Sequence, residues 1–437
     1  MRAPLLIAFA LAAPLLVASP APAETIDAAS FGTARVAAPP GAILGYVALF
    51  SGDDGWTAAD DETLAAIARA GALAVGVDSK MYLDNLRTGR GAIRKAECVD
   101  VFQDVEDLSR QVQARRPSAF YNLPIVAGVG EGGALADAAL VQAPTGTLSG
   151  AVAVDPTAKV ALTRPLCRLD SFALDDGPRA LSPVPPPPRD LTFAFDDGAD
   201  ALTLAGSDSR AHLVELTQKR LLAATASGAD SLPLAPLPAA GASRVAAILL
   251  SGDGGWRDLD KTIGEKLQAA GVPVLGWDSL RYFWSAKTPD QTAADLAAAM
   301  AEYGGKWRVE RFALIGYSFG ADALPAVYNR LPIRFREQTA MLALLGVEPK
   351  ADWEIHMAGW LGAPPSAAAT PIAPELAKIA PDLIQCFYGV EETGSACPAL
   401  IGSGAEVVET PGDHHFGHDY AALAARILDG LRRRGAM

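Results

Sequence analysis

The chain has 437 residues, half of them hydrophobic, and a formal net charge of −13 at pH 7. This length suffices for two ordinary domains, and the hydrophobic content excludes an intrinsically disordered chain. The negative charge disfavours nucleic acids and anionic lipid headgroups as partners and suits a cationic substrate; a role in solubility alone is the open alternative.

Residues 1–23 have the features of a secretory signal peptide. Arg2 precedes an apolar run over residues 5–17, and Ala21-Pro22-Ala23 resembles a small-residue cleavage site. A membrane anchor is the alternative, but the run is short and interrupted by prolines. We therefore expect the chain to be exported.

Two segments of the chain repeat each other at a spacing of 200 residues. The hexapeptide Ser51-Gly52-Asp53-Asp54-Gly55-Trp56 returns as Ser251-Gly252-Asp253-Gly254-Gly255-Trp256, and Tyr82 returns as Tyr282 without a gap. This many matches in one register predict an internal duplication.

Each copy has the same order of predicted elements. In the second copy, an apolar strand at residues 248–250 leads into the glycine-rich turn, an amphipathic helix at 258–270 follows, and a second strand covers 272–277. Strands that alternate with helices predict a parallel sheet covered on both faces. We expect an N-terminal half at residues 24–232 and a C-terminal half at 233–437.

Two proline-rich segments lie between the copies. Residues 183–188 predict an extended spacer, and residues 232–238 lead into the C-terminal half. The stretches 191–195 and 201–204 predict a pair of strands attached to the N-terminal half.

The chain contains four cysteines, two in each half. An even number in an exported chain predicts the disulfides Cys98–Cys167 and Cys386–Cys397, with free buried thiols as the alternative.

The sequence Gly316-Tyr317-Ser318-Phe319-Gly320 lies between an apolar strand at 312–315 and a helical run at 321–328. Strand, sharp turn and helix in this order are typical of the nucleophile elbow of α/β hydrolases, although a tight turn with an ordinary serine would look similar. We predict that Ser318 is a catalytic nucleophile.

A serine nucleophile requires a base and an acid, which follow it in the order acid, then histidine, in this fold. The loop at Gly412-Asp413-His414-His415-Phe416 favours His415 as the base, since Gly-x-x-His-Phe is common in this fold, and His414 remains open. A metal site formed with His418 is a weaker alternative. We predict no metal and no cofactor.

The acid is expected shortly after a strand at residues 383–388. Glu392 stands three residues beyond Gly389, and Glu391 is the second candidate. A solvated surface charge is the alternative for both. The predicted Cys386–Cys397 disulfide would hold this loop near the histidine.

Backbone N–H groups of Phe319 and Asp253 are the predicted oxyanion donors, because the first follows the nucleophile and the second lies in the glycine-rich turn. The N-terminal copy has Gly130 in place of the nucleophile, and residues 1–211 contain no histidine. That copy is therefore expected to be degenerate.

With these motifs, the chain resembles the VirJ/AcvB family of bacterial virulence proteins. The resemblance rests on the glycine-rich turn, the elbow, Glu354-Ile355-His356 with Gly359-Trp360-Leu361-Gly362, and His414-His415-Phe416. It implies two tandem α/β-hydrolase-like domains, the second catalytic, as in the longer AcvB-type members. It also implies a periplasmic enzyme that hydrolyses the aminoacyl ester of lysyl-phosphatidylglycerol, with links to envelope homeostasis and type IV secretion.

The acidic composition agrees with a cationic lipid headgroup. Asp253, Asp278, Asp322 and Glu348 stand at strand ends or beside the elbow, where ligands bind in open α/β sheets, so they could pair with ammonium groups. Capping of helices and turns is the alternative for each. Two other functions stay open: another periplasmic carboxylesterase or thioesterase, and a non-catalytic adaptor that binds components of a secretion apparatus.

Overall fold

A computed structural model describes residues 23–88, 98–226 and 232–437, apart from residues 117, 145, 158–159, 161, 163, 165, 168–171, 175–180, 184–199, 203–208 and 357–365. The predicted signal peptide, the proline run at 184–188, the predicted strand at 191–195 and the segment Gly359-Trp360-Leu361-Gly362 lie outside the described residues.

The N-terminal half forms a seven-stranded sheet in the order β1-β2-β4-β3-β5-β6-β9. Strands β1 and β2 run antiparallel to their neighbours, and the others are parallel. Strands β7 and β8 form a separate antiparallel pair. The strands are Glu24–Asp27 (β1), Thr33–Ala37 (β2), Gly45–Phe50 (β3), Ala72–Val77 (β4), Pro124–Val129 (β5), Gly150–Val154 (β6), Phe172–Leu174 (β7), Leu181–Pro183 (β8) and Asp200–Leu202 (β9).

The C-terminal half forms a second sheet in the order β10-β12-β11-β13-β14-β17-β18, in which only β10 is antiparallel. Strands β15 and β16 form a separate pair. The strands are Leu234–Leu237 (β10), Val245–Leu250 (β11), Val274–Trp277 (β12), Arg311–Tyr317 (β13), Thr339–Leu345 (β14), Lys350–Ala351 (β15), Thr370–Pro371 (β16), Ile384–Gly389 (β17) and Glu406–Thr410 (β18).

Helices cover both faces of each sheet. Strands β3, β4 and β11 are buried at every position, as expected for parallel strands between two helical layers. The helices are Ala58–Arg69 (α1), Ser79–Thr88 (α2), Val101–Gln113 (α3), Glu131–Gln142 (α4), Ser209–Ala226 (α5), Asp258–Ala269 (α6), Ser279–Tyr282 (α7), Pro289–Trp307 (α8), Phe319–Arg330 (α9), Ile333–Gln338 (α10), Ala373–Leu376 (α11) and Tyr420–Arg433 (α12).

The two sheets share one topology, which confirms the predicted duplication and the α/β-hydrolase fold class. In both, an antiparallel strand precedes four parallel strands in the same crossed order. Trp56 and Trp256 also pack in the same way, because a Cβ atom at Gly76 or at Gly276 would lie within 2.7 Å of the respective indole ring. The placement of the boundary at residue 232 stays a prediction.

Two predicted segments between the copies can be compared with the structure. Within the segment at 232–238, Leu234–Leu237 forms edge strand β10, where Pro236 is tolerated because an edge strand leaves N–H groups unpaired. Of the stretch at 201–204, residues 201 and 202 belong to β9, which pairs with β6 in the N-terminal sheet.

Candidate active site

Ser318 lies in the sharp turn between β13 and α9. Its backbone angles are φ 49° and ψ −118°, a region that a residue with a side chain rarely adopts. The turn is anchored by the Ser318 N–H, which donates to the carbonyl oxygen of Leu345 on the neighbouring strand at 2.8 Å. The elbow predicted from the sequence is therefore present, with the strain typical of a functional turn.

Two glycines make this turn possible. A Cβ atom at Gly320 would lie 2.3 Å from the carbonyl oxygen of Leu250, and one at Gly316 would lie 2.6 Å from the backbone nitrogen of Ala321. Both obstacles are backbone atoms that cannot swing away. The spacing Gly-x-Ser-x-Gly is thus a packing requirement of the elbow in this chain.

A series of hydrogen bonds joins Ser318 to His414 and Glu392. His414 Nε2 lies 2.9 Å from Ser318 Oγ, and His414 Nδ1 lies 2.6 Å from Glu392 Oε1. The other oxygen of Glu392 accepts a hydrogen bond from the Gly389 N–H at 3.2 Å, and the Glu392 side chain is only 7% exposed. The carboxylate, imidazole and hydroxyl are arranged as in a serine hydrolase triad.

The expectation that His415 lies against Ser318 is wrong. His415 is exposed; its Nδ1 lies 3.1 Å from the hydroxyl of Tyr317, and its N–H donates to Asp413. The His414 imidazole reaches Ser318 Oγ, whereas the His415 imidazole contacts the neighbouring Tyr317 hydroxyl. Gly346 leaves space for His414 in particular, because a Cβ atom there would lie 2.7 Å from His414 Cε1.

The acid loop is held at both ends. Cys386, on β17, and Cys397 form a disulfide that spans the loop, and the second predicted disulfide, Cys98–Cys167, is also present. Both cysteine predictions are confirmed. Within the loop Glu392 turns inward to His414, whereas Glu391 is exposed and makes a backbone hydrogen bond to Gly412.

The electrostatics of the site affect His414 most. Burial alone lowers the pKa of His414, but its hydrogen bond to Glu392 and the charges of Glu392, Glu348 and Asp253 outweigh this effect and raise the pKa above the ordinary histidine value. The imidazolium is therefore stabilised where a triad base must accept a proton.

The segments that carry the two predicted oxyanion donors both lie next to Ser318. Phe319 begins α9 directly after the nucleophile, and the turn that contains Asp253 approaches closely, since a Cβ atom at Gly252 would lie 3.6 Å from the Ser318 Cβ. Among the described residues, neither the Phe319 N–H nor the Asp253 N–H has a hydrogen-bond partner. Both groups are thus available to a substrate oxygen.

The structure assigns different surroundings to the predicted substrate-binding carboxylates. Asp278 caps α7 by accepting from the Arg281 N–H, and Asp322 is buried and accepts from the Glu348 N–H at 2.7 Å. Burial raises the pKa of both carboxyl groups. The capping alternative thus describes these two residues, while Asp253 and Glu348 remain accessible.

A cavity of about 570 Å³ opens beside His414. Lys350 and several small residues line it together with four acidic side chains, namely Glu348, Glu391, Glu392 and Asp413. Its excess of negative charge suits a cationic group next to the imidazole.

Residues 244–435 match the model of a family described as bacterial virulence protein VirJ. The C-terminal half belongs to the VirJ family. The resemblance is thereby confirmed for this half, and the AcvB-type likeness of the whole chain stays a prediction. No curated protein matches the chain.

Several solved structures are similar to somewhat less than half of the chain. An α/β serine hydrolase without lid from Xanthomonas campestris is 18% identical, with a TM-score of 0.33, over 46% of this chain and 88% of that one. Est1E from Butyrivibrio proteoclasticus is 13% identical, with a TM-score of 0.34, over 47% and 94%. Esterase Pf2001 from Pyrococcus furiosus is 15% identical, with a TM-score of 0.35, over 44% and 82%.

Two residues of the VirJ-family half were missed by sequence reasoning. The ring of Tyr317 packs 5.5 Å from that of His414, and its hydroxyl contacts His415. Tyr317 therefore contacts both histidines of this loop. Gly346, with φ 64°, directly follows β14 and lies next to the His414 imidazole. The position of Tyr317 next to the nucleophile was the only available signal, because the path of the histidine loop is not visible in local sequence.

The N-terminal half lacks these groups but keeps the turn. Gly130 has φ 60° and ψ −123°, close to the values at Ser318, and the N–H of the following residue, Glu131, donates to the Asp53 carboxylate at 2.6 Å. The N–H that corresponds to the Phe319 donor is therefore already bonded to a side chain of the same half.

Two further features bear on partners. Within the described ranges, no helix is both long and apolar enough to cross a membrane. In the same part of the chain, no group of three or more histidine, cysteine or acidic side chains is arranged to hold a metal ion.

Proposed function

We propose that the protein is a periplasmic serine hydrolase that cleaves the aminoacyl ester of lysyl-phosphatidylglycerol, with Ser318, His414 and Glu392 as its triad. The observation that carries the proposal is the hydrogen-bonded series from Glu392 through His414 to Ser318. Two disulfides favour an oxidising compartment such as the periplasm.

The reaction proceeds in two steps. His414 takes the proton of Ser318, whose Oγ attacks the ester carbonyl carbon, and the Phe319 and Asp253 N–H groups hold the resulting oxyanion. When the intermediate collapses, His414 returns the proton to the departing glycerol oxygen, and phosphatidylglycerol leaves. A water molecule, deprotonated by His414, then attacks the carbonyl carbon of the lysyl-serine ester; the bond to Ser318 Oγ breaks, His414 returns the proton to that oxygen, and lysine is released.

The acidic cavity supports the choice of substrate. A lysyl ester carries one ammonium group next to its reacting carbonyl and a second at the end of its side chain, and the cavity beside His414 offers the carboxylates of Glu348 and Glu391 at its wall. A neutral acyl group would gain nothing from these charges. This difference separates the proposed substrate from other carboxylesters and thioesters.

The direct test uses purified protein and vesicles that contain lysyl-phosphatidylglycerol, with free lysine measured by mass spectrometry. We expect lysine release by the natural protein and none by Ser318→Ala. Cleavage of simple esters without lysine release would instead assign a general carboxylesterase.

The substrate preference can be tested at the cavity wall. Glu348→Gln combined with Glu391→Gln should raise KM for the lysyl lipid several-fold more than for the alanyl lipid, because only the lysyl group loses a partner for its side-chain ammonium. Glu302→Gln combined with Glu337→Gln, an equal charge change at exposed positions of α8 and α10, is the control. Equal effects on both lipids would reject the cavity as the lysyl site.

A further inference from the structure

The N-terminal half contacts the loops that follow β11 and β12 in the C-terminal half. The ring of Tyr121 packs 4.9 Å from that of Trp284, and Ser285 Oγ donates to the carbonyl oxygen of Ala119 at 3.0 Å. Tyr121 is fully buried and belongs to the hydrophobic core of the other half. The degenerate half therefore packs against the loops at the carboxyl ends of the strands in the C-terminal sheet, where the active site also lies.

A buried ion cluster lies in this contact. Glu106, on α3, is 2% exposed; its carboxylate accepts from Arg110 of the same helix at 2.8 Å and from Arg257 of the C-terminal half at 3.0 Å. A buried carboxylate is costly unless it is paired, and Glu106 is paired with one arginine from each half. Glu106 thus fixes the position of a guanidinium in the other half.

That guanidinium lies against the proposed oxyanion turn. A Cβ atom at Gly254 would be 3.3 Å from Nε and Nη2 of Arg257, which places the guanidinium directly on the backbone of the residue after Asp253. Arg257 therefore connects Glu106 to the turn that presents the Asp253 N–H.

In the N-terminal copy, the residue that corresponds to Arg257 has no partner comparable to Glu106 within the described residues and makes a local contact instead. Thr57, the counterpart of Arg257, forms a capping box with Asp60: its hydroxyl donates to the carboxylate at 2.6 Å and its N–H at 2.8 Å. Arg257 is also the N-cap residue of its helix but makes no capping hydrogen bond. The second copy thus lacks this cap and has a contact with the other half instead.

We propose that Glu106 is a positioning residue for ester hydrolysis at Ser318, which acts through Arg257 to hold the Asp253–Gly254 turn with its N–H towards the oxyanion. The inference rests on the proposed function. It gives the degenerate half a defined role, because a carboxylate from that half holds the turn that carries one oxyanion donor.

The test compares an oxygen ester with its thionoester, whose sulphur accepts hydrogen bonds weakly and depends less on the oxyanion donors. Loss of one such donor costs roughly 100- to 1000-fold in kcat, so a displaced donor should cost about tenfold or more. We expect Glu106→Gln to lower kcat on a small soluble ester by this factor, to leave KM within about twofold, and to lower the ester-to-thionoester rate ratio.

Glu375→Gln is the matched control. Glu375 is a mostly buried carboxylate paired with Arg330 and Lys378, and it lies on α11, away from the turn. Its variant should leave kcat and the rate ratio unchanged. A folded Glu106→Gln protein with an unchanged rate ratio would refute the positioning role. Should Glu106→Gln fail to fold, Arg257→Lys carries the same test, because its ammonium keeps the charge but lacks the planar group that covers Gly254.

Hydrogen exchange separates this inference from the proposed function. The Gly255 N–H closes the turn on the Gly252 carbonyl oxygen at 3.1 Å, and its exchange needs no substrate. We expect exchange about tenfold faster in Glu106→Gln and unchanged in Glu375→Gln. If the natural protein cleaves no ester, the proposed function fails, and the exchange rates alone decide whether Glu106 holds the turn; equal rates would reject it.

Discussion

At the scale of single residues, the two neighbouring histidines should differ sharply in importance. His414 contacts Ser318 and Glu392, whereas His415 contacts the Tyr317 hydroxyl and solvent. We expect Ser318→Ala and His414→Ala each to lower kcat/KM at least about 1000-fold, and His415→Ala to lower it less than about tenfold. Circular dichroism controls for folding. The reverse ranking of the two histidines would return the role of base to His415.

The raised pKa of His414 sets the acidic limit of activity. The base must be neutral to accept the Ser318 proton, so kcat/KM should fall as the pH drops through a pKa above the ordinary value of about 6.5. The same raised pKa stabilises the folded state below the unfolded pKa, and this stabilisation disappears as the pH rises through the folded value. A pH–rate profile measures the limit.

Glu392→Gln is the control for this assignment. It removes the charge that raises the pKa of His414, so the acidic limb should move to lower pH while the plateau rate falls. An acidic limb that does not move would show that another group sets it.

At the scale of elements, the elbow should tolerate no side chain at its closing glycine. Gly320→Ala places a Cβ atom against the backbone of β11, so we expect a loss of at least about 2 kcal/mol of unfolding free energy together with most of the activity. Thermal or urea unfolding and an esterase assay measure the two effects.

Gly305→Ala is the matched control inside α8. A Cβ atom there meets nothing within 4 Å, and alanine favours a helix, so this variant should be as stable as the natural protein or more stable by about 0.5–1 kcal/mol. Equal losses for both variants would mean that the close approach of Gly320 to β11 is not what restricts the elbow.

At the scale of the whole molecule, the N-terminal half should stay inactive even when a serine is restored. Gly130→Ser adds a hydroxyl, but the one histidine in the sequence of residues 24–232, His212, lies on α5 beside Glu215, and a Cβ atom at Gly130 would lie 2.6 Å from the Asp53 carboxylate. In a Ser318→Ala background, we expect no labelling by a fluorophosphonate and no ester turnover. Labelling at the introduced hydroxyl would show that the degenerate half retains a working base.

Much of this architecture could be predicted because it depends on short sequence patterns. The repeat at 200 residues indicated two similar sheets, and the glycines around Ser318 indicated the elbow, since both depend on short-range packing. The choice between His414 and His415 could not be made, because it depends on where Gly346 leaves space across the sheet. The Glu106–Arg257 contact joins residues 151 positions apart, beyond the reach of any local pattern.

The turn at Gly130 also bears on how the chain arose. The φ and ψ values at Ser318 strain a residue with a side chain, and such strain is typical of functional turns. Gly130 has nearly the same values with no nucleophile to present. Two independent origins of so unusual a turn, at matching places in two sheets, would be a needless coincidence. The ancestral unit therefore had this turn before it was copied.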